Sequence, residues 1–366
     1  MPLGRHVRLV TMNNPLSSLL GEKGVLLADG AIGTNLFSVG LQTGDAPELW
    51  NVDHPDRINA LHQSFIDAGS DIILTNTFGG TRYRLKLHQA NTRVHELNVA
   101  AAQIAREAAN RSDKTVLVAG SMGPTGEILA PNGPVSIEEA AAAFKEQAEA
   151  LKEGGADILW IETISSAEEI EAAVLGASGI GLPVVYTVSI DTNGRTMMGL
   201  TASDTLKVRS QVQSPITAIG TNCGVGASEV VAAILNFRNA EDKDSEQVAL
   251  VAKANCGIPE YVDGKVVYNG TPELMAQYAG LSIDAGANII GGCCGTTPEH
   301  VQAMRHAIDS HEKDDAPDLA RIESILGEVS VGAKAQLSGD LTVAGGSASG
   351  RGSRVSKRRR KSSGAN

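Results

Sequence analysis

The sequence predicts an α/β fold, a TIM (β/α)8 barrel with a disordered C-terminal tail, and three observations lead there. Eight short apolar runs alternate with eight helical patterns, the order expected of a parallel sheet closed on itself. Three of the helix-to-strand junctions repeat one another in text. The polar residues at the strand exits gather most of the chemistry-bearing side chains, and in this fold the site is built on the C-terminal ends of the strands.

In chain order, strands are expected at 25–29, 71–75, 115–121, 158–162, 184–189, 218–222, 248–254 and 289–291. Helical patterns fall at 57–68, 94–110, 137–153, 167–177, 204–211, 228–237, 272–284 and 298–310. The repeated junctions are Asp67-Ala-Gly-Ser-Asp-Ile-Ile-Leu-Thr-Asn-Thr77, Glu153-Gly-Gly-Ala-Asp-Ile-Leu-Trp-Ile-Glu-Thr163 and Asp284-Ala-Gly-Ala-Asn-Ile-Ile-Gly-Gly-Cys-Cys294. Each reads as a helix end, a glycine cap, a short buried strand and a polar exit, the signals of a helix feeding a parallel strand. In register, Asn76, Glu162 and Cys293 each stand five residues after the Asp or Asn that opens the strand. They therefore leave the sheet at equivalent points, where Asp29, Ser121, Asn222, Cys223 and Cys294 also fall.

Composition sets the outer limits. With 366 residues and 42% hydrophobic content the chain can bury a large core, and 40 glycines with 3% aromatics favour α/β. No run of about 18 apolar residues marks a transmembrane helix, and the N-terminus lacks an apolar signal region. A cytoplasmic protein with no membrane partner is expected. Four cysteines in so long a chain argue against a disulfide framework and fit a reducing compartment. The net charge is −11, and removing the seven positive charges of residues 351–366 leaves −18 for the rest. Such an acidic body argues against nucleic acid as a partner. The expected domains are an N-terminal extension at 1–20, the barrel at 21–312 and a mostly disordered tail at 313–366. The basic run Lys357 to Lys361 reads as a solvated tail, with contact to RNA or an acidic surface as the other reading. His54, His62, His88, His95, His300 and His306 read as surface or capping residues.

The cysteines carry the strongest chemical signal. Cys293 and Cys294 are adjacent within Gly291-Gly-Cys-Cys-Gly295, and Cys223 lies 70 positions earlier in Gly220-Thr-Asn-Cys-Gly224. Three such residues look like a Zn2+ site with one open coordination position, which a substrate thiol would fill. Zinc lowers the pKa of a bound thiol and keeps it nucleophilic at neutral pH. The plain alternative is three buried cysteines, since free cysteine is often buried; the barrel weakens that alternative by bringing all three to one mouth. Cys256 reads as a packing residue. Gly291–Gly295 lacks the Lys-Ser/Thr of a phosphate loop.

Together, Leu27-Ala-Asp-Gly-Ala-Ile-Gly-Thr-Asn35, Thr75-Asn-Thr-Phe78, Gly120-Ser-Met-Gly-Pro-Thr125, Trp160-Ile-Glu-Thr163, Thr221-Asn-Cys223 and Gly291-Gly-Cys-Cys-Gly295 resemble the homocysteine S-methyltransferase family over residues 25–310. The texture is most similar to the homocysteine-binding module of cobalamin-dependent methionine synthase and to short bacterial betaine–homocysteine methyltransferases. The resemblance implies that Cys223, Cys293 and Cys294 ligate zinc, with homocysteine sulfur as the fourth ligand. It further implies that Asp29 and Glu162 hold the homocysteine ammonium, with Ser121 and Asn222 as further substrate contacts. The turn Gly120 to Gly123 could present amides or hydroxyls to the substrate carboxylate. The implied reaction is an in-line methyl transfer giving methionine.

Glycine betaine is the expected donor. A quaternary ammonium is held against aromatic faces, and Trp50, Phe78 and Tyr83 follow the first two strands. Asp45-Ala-Pro-Glu-Leu-Trp50 and Arg195-Thr-Met-Met-Gly199 also resemble the short bacterial enzymes. Animal betaine enzymes carry tyrosine directly after the glutamate, where this chain has Thr163, so its donor pocket is built differently. The alternatives are S-methylmethionine or a dimethylsulfonio donor, a separate corrinoid protein docking on the mouth of a split methionine synthase, and a zinc or thiol binding protein without turnover. A homo-oligomer is left open.

Overall fold

The computed structural model describes residues 14–212, 214–241, 248–257, 259–262 and 265–343. The parallel strands are β1 (Leu26–Leu27), β2 (Ile72–Leu74), β3 (Leu117–Met122), β4 (Ile158–Ile164), β5 (Val184–Val188), β6 (Ile216–Cys223) and β7 (Ala249–Ala254). An antiparallel hairpin of β8 (Pro259–Val262) and β9 (Lys265–Tyr268) follows, and then β10 (Ile289–Gly292). The sheet order is β1-β10-β7-β6-β5-β4-β3-β2. A parallel bridge between Ala28 and Ile72 joins its two ends, so the TIM barrel expected from the sequence is present. Its eight expected helices are Pro55–Asp67, Val94–Asn110, Ile137–Glu153, Ala167–Ala177, Ala202–Gln211, Ala227–Ala240, Pro272–Ala285 and Pro298–Ser310.

Strand alternation divides the core in two. Leu26, Ile72, Leu117, Ile158, Trp160, Val185, Ala218, Val251 and Ile289 belong to one buried cluster, the barrel interior, and Leu16, Leu19 and Leu20 of the helix Pro15–Lys23 join it. That helix, capped by Asn14 through the Ser17 amide, closes the N-terminal end of the barrel. The intervening strand residues pack outward against the helices around Phe65, Phe144, Phe237 and Tyr278.

The repeated junctions have a physical purpose. Asp71 accepts the Leu27 amide at 2.9 Å, Asp157 the Val118 amide at 2.8 Å and Asn288 the Leu250 amide at 3.1 Å. Each also meets a guanidinium from a surrounding helix: Arg305 on Asp71, Arg106 on Asp157 and Arg238 on Asn288. One side chain thus ties a strand opening to its neighbouring strand and to the outer helical layer. The same device occurs three times around the barrel.

The segment expected to begin a mostly disordered tail differs up to residue 343. Helices Leu319–Leu326 and Val331–Leu337 lie there, with Ile322, Val329 and Ala333 buried in the main cluster. Ser330 and Gln336 tie this segment to Glu229 and to the Gly194 carbonyl. The basic run at 357–361 and most of the 1–20 extension lie outside the described residues. His300 caps its helix through the Thr297 amide, as expected. His62 does not follow the expectation: it is wholly buried in Pro55–Asp67, and neither ring nitrogen has a partner. No described helix is long and apolar enough to cross a membrane.

Candidate active site

Strand β6 ends on Cys223 in a left-handed conformation (φ 64°), and Gly224 continues it (φ 68°). This turn takes the chain off the barrel rim and places Cys223 across from Cys293 and Cys294, which follow β10. The three sulfurs lie within 4.8 Å of one another. Zinc–thiolate bonds of about 2.3 Å in tetrahedral geometry separate sulfurs by about 3.8 Å, so this soft, three-sulfur set fits a thiophilic metal. Its scaffold is specific. Asn255 accepts the Cys294 amide at 3.0 Å and donates to the Gly224 carbonyl at 2.7 Å, joining the two cysteine loops. Asn222 Nδ2 lies 3.8 Å from Cys293 Sγ. The Cys293 thiol is pushed up, first by its hydrogen bond with Cys223 and further by burial. Thiols this close cannot all ionise without a cation among them. Cys256 stands apart, its thiol donating to the Gly270 carbonyl at 3.2 Å, consistent with packing.

A cavity of about 380 Å³ opens beside the sulfurs, and Asn76, Glu162 and Cys293, the three residues in equivalent register, all line it. Glu162 is buried at its edge and accepts from the Ser121 hydroxyl at 2.5 Å. Lys253, whose side chain is 2% exposed, lines the same cavity and donates to Asp29 Oδ1 at 3.0 Å. Its ammonium stands 5.6 Å from the centre of the Trp160 ring. Asp29 is 0% exposed and is absent from the cavity wall; its second oxygen accepts the Leu74 amide at 2.8 Å. Burial pushes both carboxyls up, while Lys253 pulls each back. Burial alone would lower the Lys253 ammonium, but Asp29 and Glu162 outweigh it and hold the group above the ordinary lysine range.

The homocysteine S-methyltransferase pattern matches residues 26–308, which take in the barrel, the three cysteines and the acidic residues. The chain belongs to the homocysteine S-methyltransferase family. It is 29% identical over 309 residues to the methionine synthase of Mycobacterium tuberculosis and 28% identical over 300 residues to that of Mycobacterium leprae. In both cases 78% of this chain is covered but only 24% of the relative, so the chain spans about a quarter of their length. Among solved structures, it is similar to the homocysteine methyltransferase MmuM of Escherichia coli. Its oxidised form is 26% identical with a TM-score of 0.67, and its metallated form 26% identical with 0.66; each alignment covers 80% of this chain and 99% of that one.

Within this family frame, the other expected residues divide. Ser121 is engaged with Glu162, and its amide donates to Thr75 Oγ1 at 3.0 Å. Asn222 is absent from the cavity wall; it accepts from the Thr163 amide and the Thr187 hydroxyl and donates to Thr163 Oγ1, so it orients the rim rather than facing the cavity. Phe78 lines the cavity and is 38% exposed. Trp50 does not line it: Trp50 is buried with Leu36, Leu41, Ile58 and Ile104, and Arg57 stacks 4.9 Å from its ring. Tyr83 is also absent from the wall. Their nearness in sequence was a poor guide because the chain after β1 and β2 turns into short helices, Trp50–Asp53 and Arg82–Lys86, whose apolar sides face the core.

Sequence reasoning passed over Lys253, Asn255, Phe37 and Arg84, and used Asp45 and Glu48 only as part of a resembling segment. Phe37 is 48% exposed on the same wall as Phe78, and Glu48 is buried there, accepting the Gly79 amide at 2.6 Å. The available signal was Lys253-Ala-Asn255 at the end of an otherwise apolar strand, since a lysine there must find a buried partner. A larger hollow, about 620 Å³, lies at the opposite end of the barrel around Lys23, Asp71 and Arg305. Its polar wall belongs to the Asp71 clamp, and the barrel places chemistry at the other end.

Proposed function

We propose that this chain transfers a methyl group to the thiol of homocysteine, giving methionine, with glycine betaine as donor and zinc held by Cys223, Cys293 and Cys294. The observation that carries the reading is the meeting of the three sulfurs with a buried Glu162 on one cavity. Zinc, when bound, would keep the acceptor sulfur as thiolate at neutral pH. Glu162 provides the counter-charge for the substrate ammonium in a site shielded from water. Asp29 supports that end from behind.

The donor end is the outer cavity. Phe37 and Phe78 supply aromatic faces and Glu48 and Asp45 supply negative charge, the combination that favours a quaternary ammonium. A sulfur lone pair attacks the methyl carbon, the C–N bonding pair returns to nitrogen and dimethylglycine departs as a neutral amine centre. The thiol proton is lost to solvent on binding, so the transfer step asks for no general base.

A second reading is favoured by the methionine synthase relatives, of which this chain matches only a quarter: the donor would be a methylated corrinoid on a separate protein. Methionine formation by zinc-loaded protein with homocysteine and, in turn, betaine, S-methylmethionine, dimethylsulfoniopropionate and methylcobalamin separates them. Turnover with betaine supports the first reading, and turnover only with methylcobalamin replaces it. No turnover with any donor, together with tight zinc binding, would leave a zinc-binding protein.

A further inference from the structure

An amino-acid thiol brings a carboxylate as well as an ammonium, and its negative charge needs a donor in the same cavity. The turn expected to supply one is spent. Ser121 donates its hydroxyl to Glu162 and its amide to Thr75, and the Gly123 amide donates to the Phe78 carbonyl at 3.0 Å. The amides beside the sulfurs are also engaged: Cys294 with Asn255, and Gly295 with Thr34 Oγ1 at 3.2 Å.

Resting on the methyl-acceptor reading above, we propose that Lys253 binds the α-carboxylate of the thiol substrate opposite Glu162, and that Asp29 is the positioning residue that fixes Lys253 from behind. An ammonium has three N–H donors. Among the described residues, Lys253 spends one of them, on Asp29. A buried ammonium with a single acceptor is costly, and Lys253 lines the cavity, where an anionic ligand can supply a second. The cavity wall contains Lys253 and Glu162 but not Asp29, and both act on the Cys293 thiol, so beside the sulfurs substrate meets one cation and one anion, the complement of a zwitterion, while Arg84 stands by Glu48 on the same wall.

Asp29 cannot turn away from this task. Its second oxygen is held by the Leu74 amide, its own amide donates to Ile72 at 3.0 Å, and its carbonyl accepts the Gly292 amide at 3.1 Å. Gly291 leaves the lysine its room, because a Cβ there would stand 3.1 Å from Lys253 Cγ. The ligand class is thus an α-amino acid thiol with a free carboxylate, and the decarboxylated thiol, which leaves the ammonium without a second partner, is disfavoured.

The test is calorimetric binding of homocysteine and of 3-aminopropane-1-thiol, its decarboxylated analogue, to zinc-loaded protein. Wild type is expected to prefer homocysteine by roughly 10- to 100-fold, the usual range for one hydrogen bond to a charged group. Lys253→Met should reduce the preference to within about threefold by weakening homocysteine alone. The double variant Asp29→Asn, Lys253→Met keeps the cluster's net charge and repeats the comparison if the single variant fails to fold. Equal affinities in wild type would overturn the proposal. So would a preference that survives in a zinc-containing variant, which would assign the carboxylate to the backbone amides of Gly33 and Thr34 on the cavity wall. An equal loss for both thiols would reduce Lys253 to a counter-charge. Homocysteine binding without discrimination sinks this proposal alone, whereas failure of either thiol to bind wild type sinks the acceptor reading with it.

Discussion

At the scale of single residues, the site is held by neighbours that do no chemistry. Cys223 points inward because β6 ends in two consecutive left-handed residues, and Asn255 fastens its loop to the one that carries Cys294. On the proposed zinc reading, none of the three cysteines is redundant. Cys223→Ala, Cys293→Ala or Cys294→Ala should each lower bound zinc from about one per chain to near zero and abolish methyl transfer, read by metal analysis of purified protein. Glu162→Gln should behave differently: zinc content stays, while homocysteine binding weakens by roughly 10- to 100-fold by calorimetry. A variant that keeps wild-type affinity would remove Glu162 from the acceptor site.

At the scale of elements, the three junction clamps and the helix Pro55–Asp67 are the informative features. Asp157 serves both Val118 and Arg106. Asp157→Ala should cost about 2–3 kcal/mol in urea unfolding, because it leaves the Val118 amide without its acceptor and strips the carboxylate from the Arg106 guanidinium, which keeps only the Gly155 carbonyl. Asp157→Asn retains the acceptor for Val118 and should cost about 1 kcal/mol. His62 acts through pH instead. Burial lowers its pKa from 6.5 to about 4, so the fold favours the neutral ring. Its contribution is complete above pH 6.5 and is lost progressively as pH falls towards 4. At pH 5 the penalty is about 2 kcal/mol. His62→Leu should therefore flatten the fall in stability between pH 7 and pH 5 by about that amount, measured by denaturant midpoints at each pH.

At the scale of the whole molecule, packing extends past the barrel. Ile322, Val329 and Ala333 are buried against it, and Gln336 reaches the loop after β5 at the Gly194 carbonyl. Deleting residues 344–366 should leave the melting temperature unchanged, since a segment so polar has little surface to bury. Ending the chain at 318 should lower it by roughly 5 °C or more, at about 2–4 °C per kcal/mol for a domain of this size. Equal melting temperatures for both truncations would show that the two helices add nothing to the barrel.

The sequence by itself determined the barrel, because alternating apolar runs, glycine caps and the register of Asp71, Asp157 and Asn288 are local and repeat along the chain. The same register placed Asn76, Glu162 and Cys293 at one end, and pairing them with Cys223 needed only the rule that strand exits converge. Only the tertiary structure decided which of these residues face the cavity. Asp29 and Glu162 look alike in sequence, yet Lys253 stands between Asp29 and the open space. Trp50 looked like a donor wall and is core, while Phe37 became wall. The reason is physical: strand exits are set by a period of two and hydrogen bonding to the next strand, whereas side chains in the loops are aimed by whatever packs beneath them, which in a barrel comes from residues distant in the chain.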